Sequence, residues 1–193
     1  MKRPRLFLLV VLALASALAP ALWAQAPAYN LKSPIASKPV FLTSVGQSAD
    51  VEMVKVLLDR SKIPFKADAQ AKPAALAASG AKTLVIAIGG SSKGLGAAGI
   101  SAEAELERSK AVIAEARRLG MKVIGLHVGG EARRGELSDK FIAAAVPSCD
   151  YFIVVAEGNK DNLFTKLCAA AKIPLDAVDK ISKAGDPLAK AFK

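Results

Sequence analysis

The sequence predicts an α/β fold: a three-layer sandwich with helices on both faces of a five-stranded parallel sheet in the order 2-1-3-4-5, with another doubly wound order as the alternative. Three observations predict it. From Pro39 onward, short apolar runs alternate with stretches of helical period. The clearest runs, "TLVIAI" (83–88) and "YFIVVA" (151–156), are apolar on both faces, as strands covered by helices on either side must be. No internal repeat or linker breaks the pattern, so residues 39–193 are expected to form a single domain.

The chain opens with Lys2, Arg3 and Arg5, an apolar run from Leu6 to Leu18, and small residues at Ala24 and Ala26. This is the pattern of a signal peptide over residues 1–24. A cut after Ala26 would leave Pro27 behind the scissile bond, so the cut is expected after Ala24. Pro20 interrupts the apolar run, so no stable membrane anchor is expected after cleavage, and a soluble periplasmic or secreted protein follows. Residues 25–38 read as an N-terminal extended segment.

"PVFLTS" (39–44) is the first strand, and a helix from Ser48 to Ser61 follows with Val51, Val54 and Leu58 on one face. "IPF" (63–65) is a short strand placed at an edge, because Pro64 cannot donate to a ladder. Pro73 opens a small Ala-rich helix closed by Gly80. After "TLVIAI", the stretch 89–101 reads as a loop, and Ser101 caps a helix from Ala102 to Leu119. That helix has Glu103, Glu105 and Glu107 early, Arg117 and Arg118 late, and Gly120 beyond its end. "KVIGLHV" (122–128) is a strand, Leu137 to Ala145 a helix, Tyr151 to Ala156 the fifth strand, and Leu163 to Ala171 a further helix. "IPL" (173–175) belongs to the tail, 177–183 stays unassigned, and Asp186 and Pro187 open a last short helix.

The chain carries 27 basic and 17 acidic residues, a net charge of +10 that falls by three once Lys2, Arg3 and Arg5 leave with the leader. Such a charge favours anionic partners. The basic residues are dispersed and aromatic residues are scarce, which argues against nucleic acid. The two cysteines, Cys149 and Cys168, leave two readings open: a disulfide, which an oxidising compartment permits, or two buried thiols. The oligomeric state is not legible.

In an open parallel sheet, ligands bind at the carboxyl ends of the strands beside the switch point. For the order 2-1-3-4-5, that crevice lies between "TSVGQS" (43–48) and the loop that begins "GGSSK" (89–93), the two segments richest in Gly and Ser. Thr43, Ser44, Gly46, Gln47, Ser48, Gly89, Gly90, Ser91, Ser92 and Lys93 are therefore the candidate ligand-binding residues. Hydroxyls, exposed backbone N–H groups and helix N-termini there would form an anion-binding concavity. His127, the sole histidine, ends the fourth strand and joins them as a titratable candidate. Arg133, Arg134, Glu157, Asn159 and Asp161 lie on neighbouring loops and either line the same mouth or are solvated. No metal-ligand cluster is present in the sequence.

"TSVGQS" resembles the phosphate-binding loop of flavodoxins, T-x-T-G-x-T, through Thr43, Gly46 and Ser48, with Val45 in place of a threonine. The resemblance implies a flavodoxin-like or more broadly Rossmann-like fold. No flavin is expected, because the later loops carry no aromatic side chain to stack on its ring. Gly90, Gly94 and Gly96 resemble the turn of short-chain dehydrogenases, but that turn follows the third strand here and Tyr151 has Val155, not lysine, four residues on. No nicotinamide cofactor is expected either. "PVFLTSVGQSADVEMVKVLLD", "TLVIAIGGSSKGLGAAGIS" and "IPLDAVDKISKAGDPLAKAF" together resemble an exported bacterial family catalogued only as a domain of unknown function, over 39–193.

The functional expectation is a protein that binds a small anionic molecule in the crevice after strands one and three. The alternatives are a hydrolase or transferase using Ser48 or His127, and a structural or partner-binding module.

Overall fold

The computed structural model describes residues 31–193; the leader expected over 1–24 and the beginning of the 25–38 segment lie outside the described residues. The elements run β1 (Val40–Val45), α1 (Asp50–Arg60), β2 (Phe65–Ala67), α2 (Pro73–Ser79), β3 (Thr83–Ile88), α3 (Ser92–Ala98), α4 (Ala102–Arg118), β4 (Lys122–His127), α5 (Glu136–Ala145), β5 (Tyr151–Val155), α6 (Leu163–Ala171), β6 (Leu175–Val178) and α7 (Gly185–Lys190). All strands pair in parallel, in the order β2-β1-β3-β4-β5-β6.

Side chains alternate across each strand, so the sheet divides the core in two. Val40 and Leu42 pack with Val51, Val54, Leu57 and Leu58 of α1 and Leu188 of α7. Phe41 and Val45 face the opposite layer, built from Leu76 of α2, Val112 and Ile113 of α4, Phe141 of α5 and Phe164 of α6. Every residue of β1 and β3 is buried, as strands enclosed by helices on both faces require. Residues 35 and 36 are fastened to the end of α7: both amide groups donate to Ala191 O, at 3.0 and 2.9 Å.

The helix signals act as their chemistry dictates. Pro73 opens α2 and Gly80 closes it in the left-handed region at φ 70°. Ser101 Oγ accepts from Ala104 N at 3.1 Å, and Arg117 and Arg118 fill the last turn of α4.

Two elements depart from the sequence expectation. The sheet has six strands, not five: β6 extends from Leu175 into the stretch left unassigned. Asp176 hides it, since a carboxylate interrupts the apolar pattern. The neighbouring strand supplies the remedy, because Tyr151 Oη donates to Asp176 Oδ2 and both residues are buried. The second departure is α3, which occupies the middle of the expected loop. Two interior glycines disfavour a helix by propensity, yet Ser91 Oγ caps it by accepting from Gly94 N at 3.0 Å, and Gly99 ends it at φ 68°. β2 lies at the sheet edge as expected, but begins at Phe65 and not Ile63. Pro64 contributes through its carbonyl, which accepts from Val40 N at 2.9 Å.

Cys149 and Cys168 are free and buried, so of the two readings left open, the thiols hold. Burial pushes the thiol of Cys168 up to about 11 and that of Cys149 higher still. Among the described residues, no helix is long and apolar enough to cross a membrane.

The three glycines of Gly94-Leu95-Gly96-Ala97-Ala98-Gly99 therefore have three different environments. A Cβ at Gly94 would collide with the backbone oxygen of Gln47, whereas one at Gly96 would meet nothing within 4 Å. Gly94→Ala is expected to lower the unfolding free energy by about 1–3 kcal/mol. Gly96→Ala should raise it by about 0.5–1 kcal/mol, since it only adds helix propensity. Urea denaturation of the two variants reads both signs.

Candidate functional site

β1 leads outward to β2 while β3 lies on its other side, so the chain leaves the carboxyl ends of β1 and β3 in opposite directions and opens a crevice between them. Gly46 and Gln47 make the turn out of β1 with φ values of 98° and 57°. Only glycine fits the first position, where a Cβ would lie 2.5 Å from Gly89 O.

Buried charge holds this turn in place. Glu105 of α4, fully buried, accepts from Gly46 N at 2.9 Å and from Gln47 Nε2 at 3.1 Å. Its partner is Arg108, whose Nε donates to Glu105 Oε2 at 2.7 Å. Arg108 also donates to Ala71 O at 2.8 Å, to Ser44 O and to Thr43 Oγ. One ion pair thus binds β1, its following turn and the segment before α2 to α4.

Beyond the turn lies a cleft of about 590 Å³ whose polar lining includes Gln47, Ser48, Ser91, Lys93 and Arg133. Ala49, Val51, Ala69, Ala97 and Ala98 give it apolar walls. Ser48 Oγ accepts from Asp50 N at 3.2 Å and Ser91 Oγ accepts from Gly94 N, which leaves both hydroxyl protons to be donated. Arg133 Nε donates to Asp50 Oδ1 at 3.3 Å, and its two terminal nitrogens have no partner among the described residues. Lys93 is exposed and also without an ion-pair partner there, while Glu52 at the rim is paired with Lys55 at 2.7 Å. Lys93 therefore gives the cleft an uncompensated positive charge, and Arg133 adds free donor nitrogens.

Other candidates are placed elsewhere. Thr43 and Ser44 point into the two core layers: Thr43 Oγ donates to Ala69 O at 3.3 Å, and Ser44 Oγ is buried without a partner. Gly89 N donates to Val45 O and Ser91 N to Gly46 O, both at 2.9 Å, while Gly90 N donates to Ser138 Oγ at 2.9 Å. These three amide groups are thus spent inside the fold, so the concavity expected from exposed backbone N–H groups is not built there. Ser92 is exposed at the start of α3 but does not line the cleft.

His127 is fully buried beneath the loops, 4.9 Å from the ring of Phe164. Nδ1 lies 2.9 Å from Ile88 O and Nε2 3.3 Å from Gly130 O. Neither nitrogen is presented to Ser48, and burial lowers the imidazole pKa below its usual 6.5.

Of the loop residues weighed beside the cleft, only Arg133 lines it. Arg134 spans Asp139 at 2.7 Å and Asp161 at 2.8 Å and holds Asp161 well below the usual carboxylate range. Asn159 Oδ1 accepts from Phe164 N at 3.0 Å, a cap for α6. Asp50 escaped the sequence reading because a carboxylate in the first turn of a helix is commonplace. Among the described residues, no group of three or more acidic, His or Cys side chains is placed to hold a metal.

Fold and cleft together define a doubly wound, Rossmann-like α/β protein with a polar cleft at its switch point. The chain belongs to the family described as "Domain of unknown function (DUF6305)", matched over residues 37–192. No curated protein matches it. Solved structures similar to it include the psychrotrophic esterase EstA from Pseudoalteromonas sp., with 12% identity, 73% of this chain and 78% of that chain covered, and a TM-score of 0.35. A GDSL-like lipase from Bacteroides thetaiotaomicron has 11% identity, 76% and 72% coverage and a TM-score of 0.35. The YdjI aldolase from Escherichia coli K12 has 14% identity, 79% and 71% coverage and a TM-score of 0.27. At TM-scores this low, the likenesses carry no argument about this chain's chemistry.

Two stability experiments follow from the site. Glu105→Ala leaves Arg108 without its counter-charge and is expected to cost about 3–5 kcal/mol in chemical denaturation, more than replacing Glu105 and Arg108 together by methionine. The second concerns pH. Well above its ordinary pKa of 6.5, His127 is neutral in both folded and unfolded chains. Below that value the unfolded chain takes up a proton that the folded chain resists, so stability falls as the pH drops. The thermal midpoint should decline between about pH 7 and about pH 5.5, where unperturbed carboxylates do not titrate. His127→Gln should flatten that slope.

Proposed function

We propose that this protein binds a small organic anion in the cleft between the turn after β1 and the start of α3. The supporting observation is the state of the two cations lining the cleft. Arg133 is tethered through Nε alone, which leaves its two terminal nitrogens free to take a carboxylate or phosphate, and Lys93 lines the same cleft without an ion-pair partner among the described residues. The hydroxyls of Ser48 and Ser91 add donors, and the alanine-rich walls suit an apolar body behind the charged group. The hydrolase or transferase alternative has less support, because the only histidine faces two backbone carbonyls. We further propose that residues 1–24 act as a cleavable leader, that 39–193 form one domain, and that the mature protein resides in the periplasm or outside the cell.

Calorimetric titration of the protein with inorganic phosphate, simple carboxylates and nucleotides tests the binding reading. One of these classes should give heat and raise the thermal midpoint, with about 2.7 kcal/mol of added stability at a hundred times the dissociation constant. Arg133→Ala should weaken binding by roughly tenfold or more, the worth of a charged hydrogen bond. No heat and no midpoint shift with any of them overturns the proposal.

A further inference from the structure

Beside the cleft, behind its lining, lies a carboxylate that a simple anion does not use. Asp50 is 4% exposed, and its Oδ2 is one of two buried side-chain atoms without a hydrogen-bond partner among the described residues, the other being Ser44 Oγ. A buried carboxylate oxygen left unpaired costs stability, so its retention calls for a cause. Its surroundings are glycine: a Cβ at Gly129 would lie 2.5 Å from Oδ2 and one at Gly89 3.7 Å from it, with Ser48 Oγ 3.3 Å from that same Gly89 position. A side chain at Gly129 would crowd the oxygen. Gly129 is also where the stem of Arg133 crosses, since a Cβ there would collide with Arg133 Cγ. Arg133, which lines the cleft, therefore also packs its stem at Gly129, beside Asp50 Oδ2.

We infer that the bound anion is a carboxylic acid bearing a hydrogen-bond donor, a hydroxyl or ammonium, on the carbon next to its carboxylate, and that Asp50 Oδ2 receives this donor. The inference rests on the anion reading above and specifies its ligand. The geometry sets the spacing. Arg133 and Asp50 are themselves in contact at 3.3 Å, so the ligand groups complementary to them must also be neighbours on the ligand. The carboxylate takes the free fork of Arg133 and draws the half-exposed side chain, 42% accessible, toward the cleft. The adjacent donor then reaches Oδ2, which is buried until Arg133 moves. The Asp50 carboxylate is an anionic acceptor that can take either an ammonium or a hydroxyl donor, while the ligand's own carboxylate pairs with Arg133 and Lys93. An acid lacking the donor leaves Oδ2 as it was.

Three acids of equal size separate these cases: propionate, lactate and alanine, each titrated calorimetrically into the full-length protein, with inorganic phosphate as a fourth probe. Lactate or alanine should bind roughly tenfold more tightly than propionate, the contribution of one hydrogen bond to a charged group. Asp50→Ala should bring the ratio of their dissociation constants to propionate's close to one. A variant that merely loosened the loop would weaken all three alike and leave the ratio unchanged. Equal affinities in the unmodified protein overturn the inference while sparing the anion reading, and would assign Oδ2 to a resident water. Binding of phosphate alone has the same meaning. If no probe binds, the anion reading falls and this inference with it.

Discussion

The organisation of the cleft depends on the ion pair between Glu105 and Arg108. Two charges taken out of water carry a desolvation cost that their mutual attraction offsets only when the remaining lone pairs and protons are also satisfied. Here they are. Glu105 Oε1 receives Gly46 N, Gln47 Nε2 and Arg108 Nη2, while Oε2 receives Arg108 Nε at 2.7 Å. Arg108 spends its other donors on the carbonyls of Ser44 and Ala71 and on Thr43 Oγ. The consequence is directional: a turn holding two residues at positive φ is strained by itself, and the pair supplies the fixed partners that make this conformation the stable one.

Close backbone contact is the second constraint, and it follows from the first. Once the turn after β1 is fixed, α3 can approach it only where no side chain intervenes, so Gly94 lies against Gln47 O. Gly46 lies equally close to Gly89 O, and Gln47 bridges Gly90. The segments after β1 and β3 are thereby zipped together at their base, and the cleft is left to open above them. Its polar lining comes from residues that this zipper does not consume: Ser48, Ser91, Lys93 and, from the loop after β4, Arg133.

The parts of this arrangement that sequence reading reaches are those set by local pattern. β3 is an unbroken apolar run and α4 has a cap, a charge gradient and a glycine stop, so both lie within a residue of expectation. The switch point follows from the order of the elements alone, and with it the nearness of residues 46–48 to 89–93. What pattern does not carry is compensation between distant residues. Asp176 looks unsuited to a buried strand until Tyr151 is placed beside it. α3 looks too glycine-rich for a helix until the close approach of Gln47 is known. The fate of each amide is equally nonlocal: Gly90 N looks available to a ligand in sequence, and Ser138, 48 residues away, takes it.

That last point decides the character of the cleft. A nucleotide-binding glycine turn presents backbone N–H groups, held rigidly and aimed at phosphate. In this protein the corresponding groups of Gly89, Gly90 and Ser91 close the base of the fold, and the glycine spacing of 94–99 reflects packing at Gly94 and a helix stop at Gly99. Positive potential in the cleft comes from long side chains, the exposed Lys93 and the partly exposed Arg133. Recognition by such groups differs from recognition by backbone: the ligand orders them on arrival, at a cost in side-chain entropy, and selectivity must come from whatever fixed acceptors and donors lie behind them. Behind Arg133 the fixed group is Asp50, anchored at the first turn of α1 and tied through Ser48 to the turn that Glu105 holds. On the proposed anion reading, the rigidity needed for selectivity is located one layer below Lys93 and Arg133.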